Sequence, residues 1–220
     1  MLSLTVLVVE LAGGGAADRL VADLSTAHAG LTARRAPTRG TVPHRRLAAL
    51  EGVVTDLVAF LEDTTAPEPE WVPALRTAFE DDPRLGAAGG PVLPGAGLSA
   101  AGAGLLFFDL GPFVRPDYAG QDLPGNALCF RTAALREALA GADGVRRTEL
   151  LPALWAARWR TRFVADAVVR YERADPIGVS AVSQLHQGRS WAGRARRAGS
   201  MALGPAALRT AGWPAVAALR

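Results

Sequence analysis

A chain of 220 residues, half of them apolar and a fifth charged, has the make-up of a soluble globular protein with one substantial core. Its single cysteine, Cys129, excludes an internal disulfide and suits a reducing, cytoplasmic setting. The net charge is +3, all basic side chains are arginine, and no recognition motif accompanies that charge to point to nucleic acid.

Taken in chain order, strands and helices are expected to alternate. Leu4 to Val9 reads as a first core strand, and the apolar start through Leu11 is too short to span a membrane and lacks a basic leader. The run Gly13-Gly14-Gly15 turns the chain into a helix over 16–27, where Asp18 suits the helix dipole. That run has neither GxGxxG nor Walker spacing, so it reads as a plain turn in preference to a phosphate cradle. A second strand over 31–36 ends at Pro37, and a helix over 43–55 leads into a strand over 56–61. Trp71, Val72, Leu75, Ala78 and Phe79 fall near helical spacing and predict a helix over 71–80. A glycine-rich strand follows at 86–93, while 96–111, low in charge, is open between strand and loop. A strand at 125–130, helices at 132–140 and 149–158, and a last strand at 163–171 complete the series. Cys129, inside an apolar run, reads as a buried inert thiol. The alternation predicts an α/β protein with a Rossmann-like, mostly parallel sheet flanked by helices.

The stretch 58–71, VAFLEDTTAPEPEW, runs an apolar strand directly into Glu62 and Asp63. Ligands of open α/β sheets bind at the carboxyl ends of strands, where two carboxylates can hold a divalent cation and its diphosphate. The same residues also suit a polar turn before Pro67 and Pro69. Both readings are open on spacing alone.

The flanks carry a resemblance. Asp56 to Asp63, DLVAFLED, followed by Pro69-Glu70-Trp71, is similar to the metal-binding block of family 2 glycosyltransferases, GD-LVAFLDDD-x-x-P-x-x-W. Upstream, Arg39-Gly40, Arg45 and Ala48-Ala49-Leu50-Glu51 resemble the RG…ARN-AALE helix of that family. Downstream, Gly89-Gly90-Pro91-Val92 and Gly125-Asn126-Ala127-Leu128-Cys129-Phe130-Arg131 resemble its later blocks. The blocks run in order from about Thr38 to Arg197. The resemblance implies a GT-A fold, a nucleotide-diphosphate sugar as donor, Mg²⁺ or Mn²⁺ as cofactor, and a sugar or lipid-linked acceptor. It places Arg45, Asp56, Glu62 and Asp63 at the nucleotide sugar, with Glu62 and Asp63 as metal ligands, and Asn126 on the acceptor side.

The match departs from the family in four places. The third acidic position of the metal block is Thr64, a neutral hydroxyl. In the segment that supplies the base, ED-x-[DE]-L, aligning Leu150 puts Arg146 and Arg147 at the Glu-Asp pair, leaving Glu149 as the candidate base. Arginine cannot serve as a base near neutral pH. The strand ending in a VVDDGS-like block that usually follows the first helix of the family is missing, so the nucleotide-binding half is shortened. Finally, Gln187, Arg189 and Trp191 resemble the Q-x-x-R-W signature at altered spacing, an acceptor-side or pyrophosphate contact in the family. Bland readings stand beside each: Arg45 as a surface helix arginine, Glu149 as a helix-start acid.

From Arg189 to Arg220 the chain carries six arginines and no acid. This tail suits a solvated helical face or the anionic inner surface of a cell membrane. The expected division is a glycosyltransferase-like domain over 1–197 and a basic, apolar tail over 198–220. The leading functional expectation is sugar transfer; the alternative is a catalytically reduced homologue serving as a binding or partner subunit, with a membrane-attached scaffold a third.

Overall fold

Leu4–Val9, six buried residues in a row, form a strand covered on both faces, and this strand, β1, lies inside the main sheet. The structure, a computed structural model, describes residues 1–11, 15–140, 142 and 144–172. β1 pairs in parallel with β2 (Leu31–Arg35) on one side and β3 (Leu57–Glu62) on the other. The six-stranded sheet continues through β7 (Ala127–Arg131), β5 (Leu85–Gly89) and β8 (Arg160–Phe163), in the order β2-β1-β3-β7-β5-β8. Only β7 among these strands runs against the others, pairing antiparallel with both β3 and β5. A three-stranded sheet stands beside it, with β4 (Thr65–Pro67), β9 (Val169–Tyr171) and β6 (Val92–Pro94) in the order β4-β9-β6.

Helices cover both faces. Along β3, Leu57, Ala59 and Leu61 join the core under α1 (Ala16–Ala27), α3 (Trp71–Asp81) and α4 (Ala100–Leu110). Val58 and Phe60 face the other way, into a second core with α2 (Val42–Ala49), α5 (Thr132–Ala138) and α6 (Arg147–Ala156). Each fully buried large side chain here, such as Phe60, Phe79, Phe130 or Leu75, contributes about 1.5–3 kcal/mol.

Most expected elements form near their expected bounds, with informative exceptions. The helix expected over 43–55 stops at Ala49, and Gly52 beyond it holds a φ of 68°, which a glycine adopts without strain. The two expected strands at 86–93 and 163–171 each break into two, one half in each sheet. The breaks face each other: a Cβ on Gly90 would sit 2.2 Å from the Ala167 carbonyl oxygen and 2.6 Å from that of Val164. The chain passes from sheet to sheet there because only glycine permits that approach. Residues 100–110, within the unassigned 96–111 segment, form α4, capped by the Ser99 hydroxyl accepting the Gly102 N–H at 3.1 Å.

Candidate functional site

The reversed direction of β7 brings its first residues to the carboxyl edge of β3. Leu61 pairs with Ala127, and the Glu62 N–H donates to the Asn126 carbonyl at 2.9 Å. Strand alternation then sets the side chains. Glu62 shares the parity of Val58 and Phe60, so it meets α2, where Arg46 Nη2 donates to its Oε1 at 2.8 Å. The same nitrogen donates to the Gly125 carbonyl at 2.9 Å, and the Arg46 guanidinium lies 5.7 Å from the centre of the Phe60 ring. Arg46 is 7 % exposed; burial pulls its guanidinium below the ordinary value, against the opposing pull of Glu62. Arg46 is the residue that the sequence reading passed over, although the strand parity of Glu62 and the helix expected beside it carried the signal.

Asp63 continues the ladder, its N–H donating to the Val9 carbonyl at 3.1 Å, and its Oδ1 accepts the Leu11 N–H at 2.6 Å. Thr64 is buried at 3 % exposure. Arg45 is also buried and donates from Nε to the Pro37 carbonyl at 2.6 Å, just past the carboxyl end of β2. Asn126 is 4 % exposed, and neither its Nδ2 nor its Oδ1 has a hydrogen-bond partner among the described residues. A buried amide left unpaired costs about 1–3 kcal/mol per group, which marks this position for a ligand or a water.

The start of α6 supplies the third wall. Arg147 Nη1 donates to Asp122 Oδ1 and, at 3.1 Å, to the Leu123 carbonyl. A Cβ on Gly125 would lie 3.7 Å from Arg147 Cδ and Nε, so Arg46 and Arg147 flank Gly125. Glu149 is exposed, and Arg146 Nη1 pairs with its Oε2 at 3.3 Å. On the β2 side, Arg35 binds Glu10 and Asp18.

The carboxyl edge therefore gathers Arg45, Glu62, Asp63 and Asn126, with Glu149 on the neighbouring helix. Asp56 is not among them, which corrects its expected place at the nucleotide. It precedes β3 at the opposite edge, some 20 Å away along the strand, and its Oδ2 accepts the Ser3 N–H at 2.9 Å and the Ser3 hydroxyl at 2.7 Å. Those two bonds hold its carboxyl below the usual range. Gln187, Arg189, Trp191, the arginine tail and the boundary expected at 197 lie outside the described residues.

A divalent cation is implied by the fold, and the described residues do not fit one. Glu62 is held by a guanidinium on the α2 side, Asp63 is turned to the β1 loop, and Thr64 offers a buried hydroxyl. Among the described residues no three His, Cys, Asp or Glu side chains come together as a ligand set. Glu62 and Asp63, expected as a metal pair, accept hydrogen bonds from different elements, α2 and the chain just after β1. Among the described residues no helix is long and apolar enough to cross a membrane. A cavity of about 610 Å³ lies elsewhere, lined by Glu68, Asp81, Arg162, Asp166 and Arg170, and shares no residue with the carboxyl edge.

No protein-family model and no curated protein matches the chain. Solved structures do. A mannosyltransferase from Pyrobaculum calidifontis, in complex with GDP-Man and Mn²⁺, is 12% identical with a TM-score of 0.56, over 90% of this chain and 64% of that one. The chain thus spans less than two thirds of that enzyme's length. Glucosyl-3-phosphoglycerate synthase from Mycobacterium tuberculosis, in complex with Mn²⁺, UDP and glucosyl-3-phosphoglycerate, is 14% identical with a TM-score of 0.53, over 92% of this chain and 82% of that one. At such identities the likeness is one of architecture alone: the chain has the GT-A fold of these glycosyltransferases.

Proposed function

We propose that the chain binds a nucleotide-diphosphate sugar at the carboxyl edge of β1, β2 and β3 and transfers the sugar to an acceptor hydroxyl, in the manner of a family 2-like hexosyltransferase. The observation that carries this reading is the junction at which Glu62, ion-paired with Arg46, meets Asn126, with the Arg46 Nε and the Asn126 amide buried and without partners among the described residues at the ligand edge of the sheet. Arg45 and Arg46 would face the nucleotide diphosphate, and Asn126 the sugar or the acceptor. Glu149 would take the acceptor proton as its oxygen attacks the anomeric carbon and the bond to the diphosphate breaks. A sugar or lipid-linked acceptor, a cytoplasmic location, and a peripheral hold on an anionic membrane through the tail belong to the same proposal.

A second reading has its own observation. Arg146 and Arg147 stand where the resemblance expects the base, and Glu149 is already paired with Arg146. This arrangement favours a homologue that binds its sugar nucleotide without rapid turnover. Calorimetric titration with UDP-glucose, GDP-mannose and related donors, followed by a donor-hydrolysis assay, separates the two. Binding with hydrolysis that Glu149→Gln lowers about a hundredfold supports transfer, the scale of a lost general base. Binding without hydrolysis supports the reduced homologue, and absence of binding to every donor contradicts both.

A further inference from the structure

We infer that the donor diphosphate is held at this edge by guanidinium groups, Arg46 and Arg147 foremost, with no requirement for a divalent cation. The inference rests on the nucleotide-sugar reading above and replaces the element of it that the fold would lead one to expect.

The donor set argues it first. A cation needs oxygens that converge, yet alternation along β3 sends Glu62 to α2 and Asp63 to the β1 loop, and the next residue, Thr64, is buried and neutral. A dication seeking Glu62 would meet a guanidinium already 2.8 Å from that carboxylate, and like charges at such range repel strongly in a buried setting. Charge argues it next. Glu62 and Asp63 with Arg45 and Arg46 sum to zero, the same balance as two carboxylates with one divalent cation. The positive charge that would meet a diphosphate is therefore present in the chain itself.

Hydrogen-bonding capacity completes the case. Arg46 meets both Glu62 and Gly125 through one nitrogen, Nη2, while its buried Nε has no partner among the described residues. Arg45 Nη2 and both ends of the Asn126 amide are in the same condition. The donors among these atoms, Arg46 Nε, Arg45 Nη2 and Asn126 Nδ2, gain from an incoming oxyanion what they now lack. Arg147, across Gly125 from Arg46, adds a planar fork of the kind that matches phosphate oxygens. Burial has already stripped water from Arg46, and the Phe60 ring helps to fix its plane, so less ordering is left to the moment of binding.

The test uses the full chain, with UDP and GDP as probes, titrated by calorimetry once in excess EDTA and once in Mn²⁺. The expected result is a dissociation constant that agrees within about twofold between the two conditions and rises at least tenfold in Arg46→Gln and in Arg147→Gln. Thermal unfolding of each variant checks its fold, and Arg147→Gln, at a partly exposed position, carries the test if Arg46→Gln unfolds. Binding seen only with Mn²⁺ overturns the guanidinium clamp and leaves the nucleotide-sugar reading standing. Binding unchanged in Arg147→Gln and in a folded Arg46→Gln also overturns it. Absence of binding in both conditions overturns the clamp together with the reading on which it rests.

Discussion

Arg46 and Glu62 form the pair on which the local structure of the site depends. A buried ion pair gains little over an apolar replacement, but breaking one member leaves the other charge uncompensated. Glu62→Ala is therefore expected to lower stability by about 3 kcal/mol, near the low end for broken buried pairs because Glu62 keeps some exposure. Urea unfolding of the variant measures it, and a loss below about 1 kcal/mol would remove the pair from its central place. Asp56 gives the contrasting case. Its carboxyl is held below the usual range by Ser3, so its contribution is present above pH of about 4 and is lost as the pH falls through the folded-state value. Asp56→Asn should cost less than about 1 kcal/mol at pH 7, because the group is exposed and screened by water. The difference from wild type should vanish on acidification. Nucleotide binding by Asp56→Asn should match wild type; a large loss would return Asp56 to the site. The sequence block around Asp56 made it look like part of the ligand edge, since similarity in a linear motif does not say which end of a strand a residue occupies.

Among the elements, the crossing at Gly90 decides how the two sheets join. Both chain passages change sheet where Gly90 meets the carbonyl oxygens of Val164 and Ala167. Gly90→Ala forces backbone to move at both crossings and is expected to cost about 3 kcal/mol or more, on the scale of an overpacked core position. Circular dichroism melting of this variant beside Gly97→Ala, where an added Cβ meets no atom within 4 Å, provides the comparison. Equal melting temperatures would contradict the argument. The helices and strands of the first half were legible because period and punctuation agreed: apolar runs for β1 and β3, helical spacing for α3, a proline after β2. The breaks at 90–91 and 164–168 were marked only by Gly90-Pro91 and Asp166, and what makes the chain change sheet there is a long-range contact that neither signal names. α4 was obscured by a sequence so apolar around its circumference that no period stands out.

Within residues 1–172, the sheet order sets one reversed strand between three parallel strands and two more, and from this the ligand edge follows. β7 delivers Gly125 and Asn126 to the end of β3, α2 delivers Arg45 and Arg46, and α6 delivers Arg147 and Glu149. Glu62, Asp63, Arg45 and Asn126 could be named from sequence because each stands in a motif block. Arg46, beside Arg45 in the same helix, is less conspicuous, because its importance arises from a partner 16 residues away and a carbonyl 79 residues away. The departures at Thr64 and at Arg146-Arg147 also gained their meaning from structure. Together they describe an edge whose charge is balanced internally by arginine.

The claim that this edge is where a nucleotide sugar binds is tested most directly by amide hydrogen exchange with and without saturating UDP-glucose or GDP-mannose. The account predicts slowed exchange concentrated at Leu11, at 36–46, at 62–64 and at 125–126. Protection confined to the cavity of Glu68, Asp81 and Arg170, with the carboxyl edge unchanged, would contradict it.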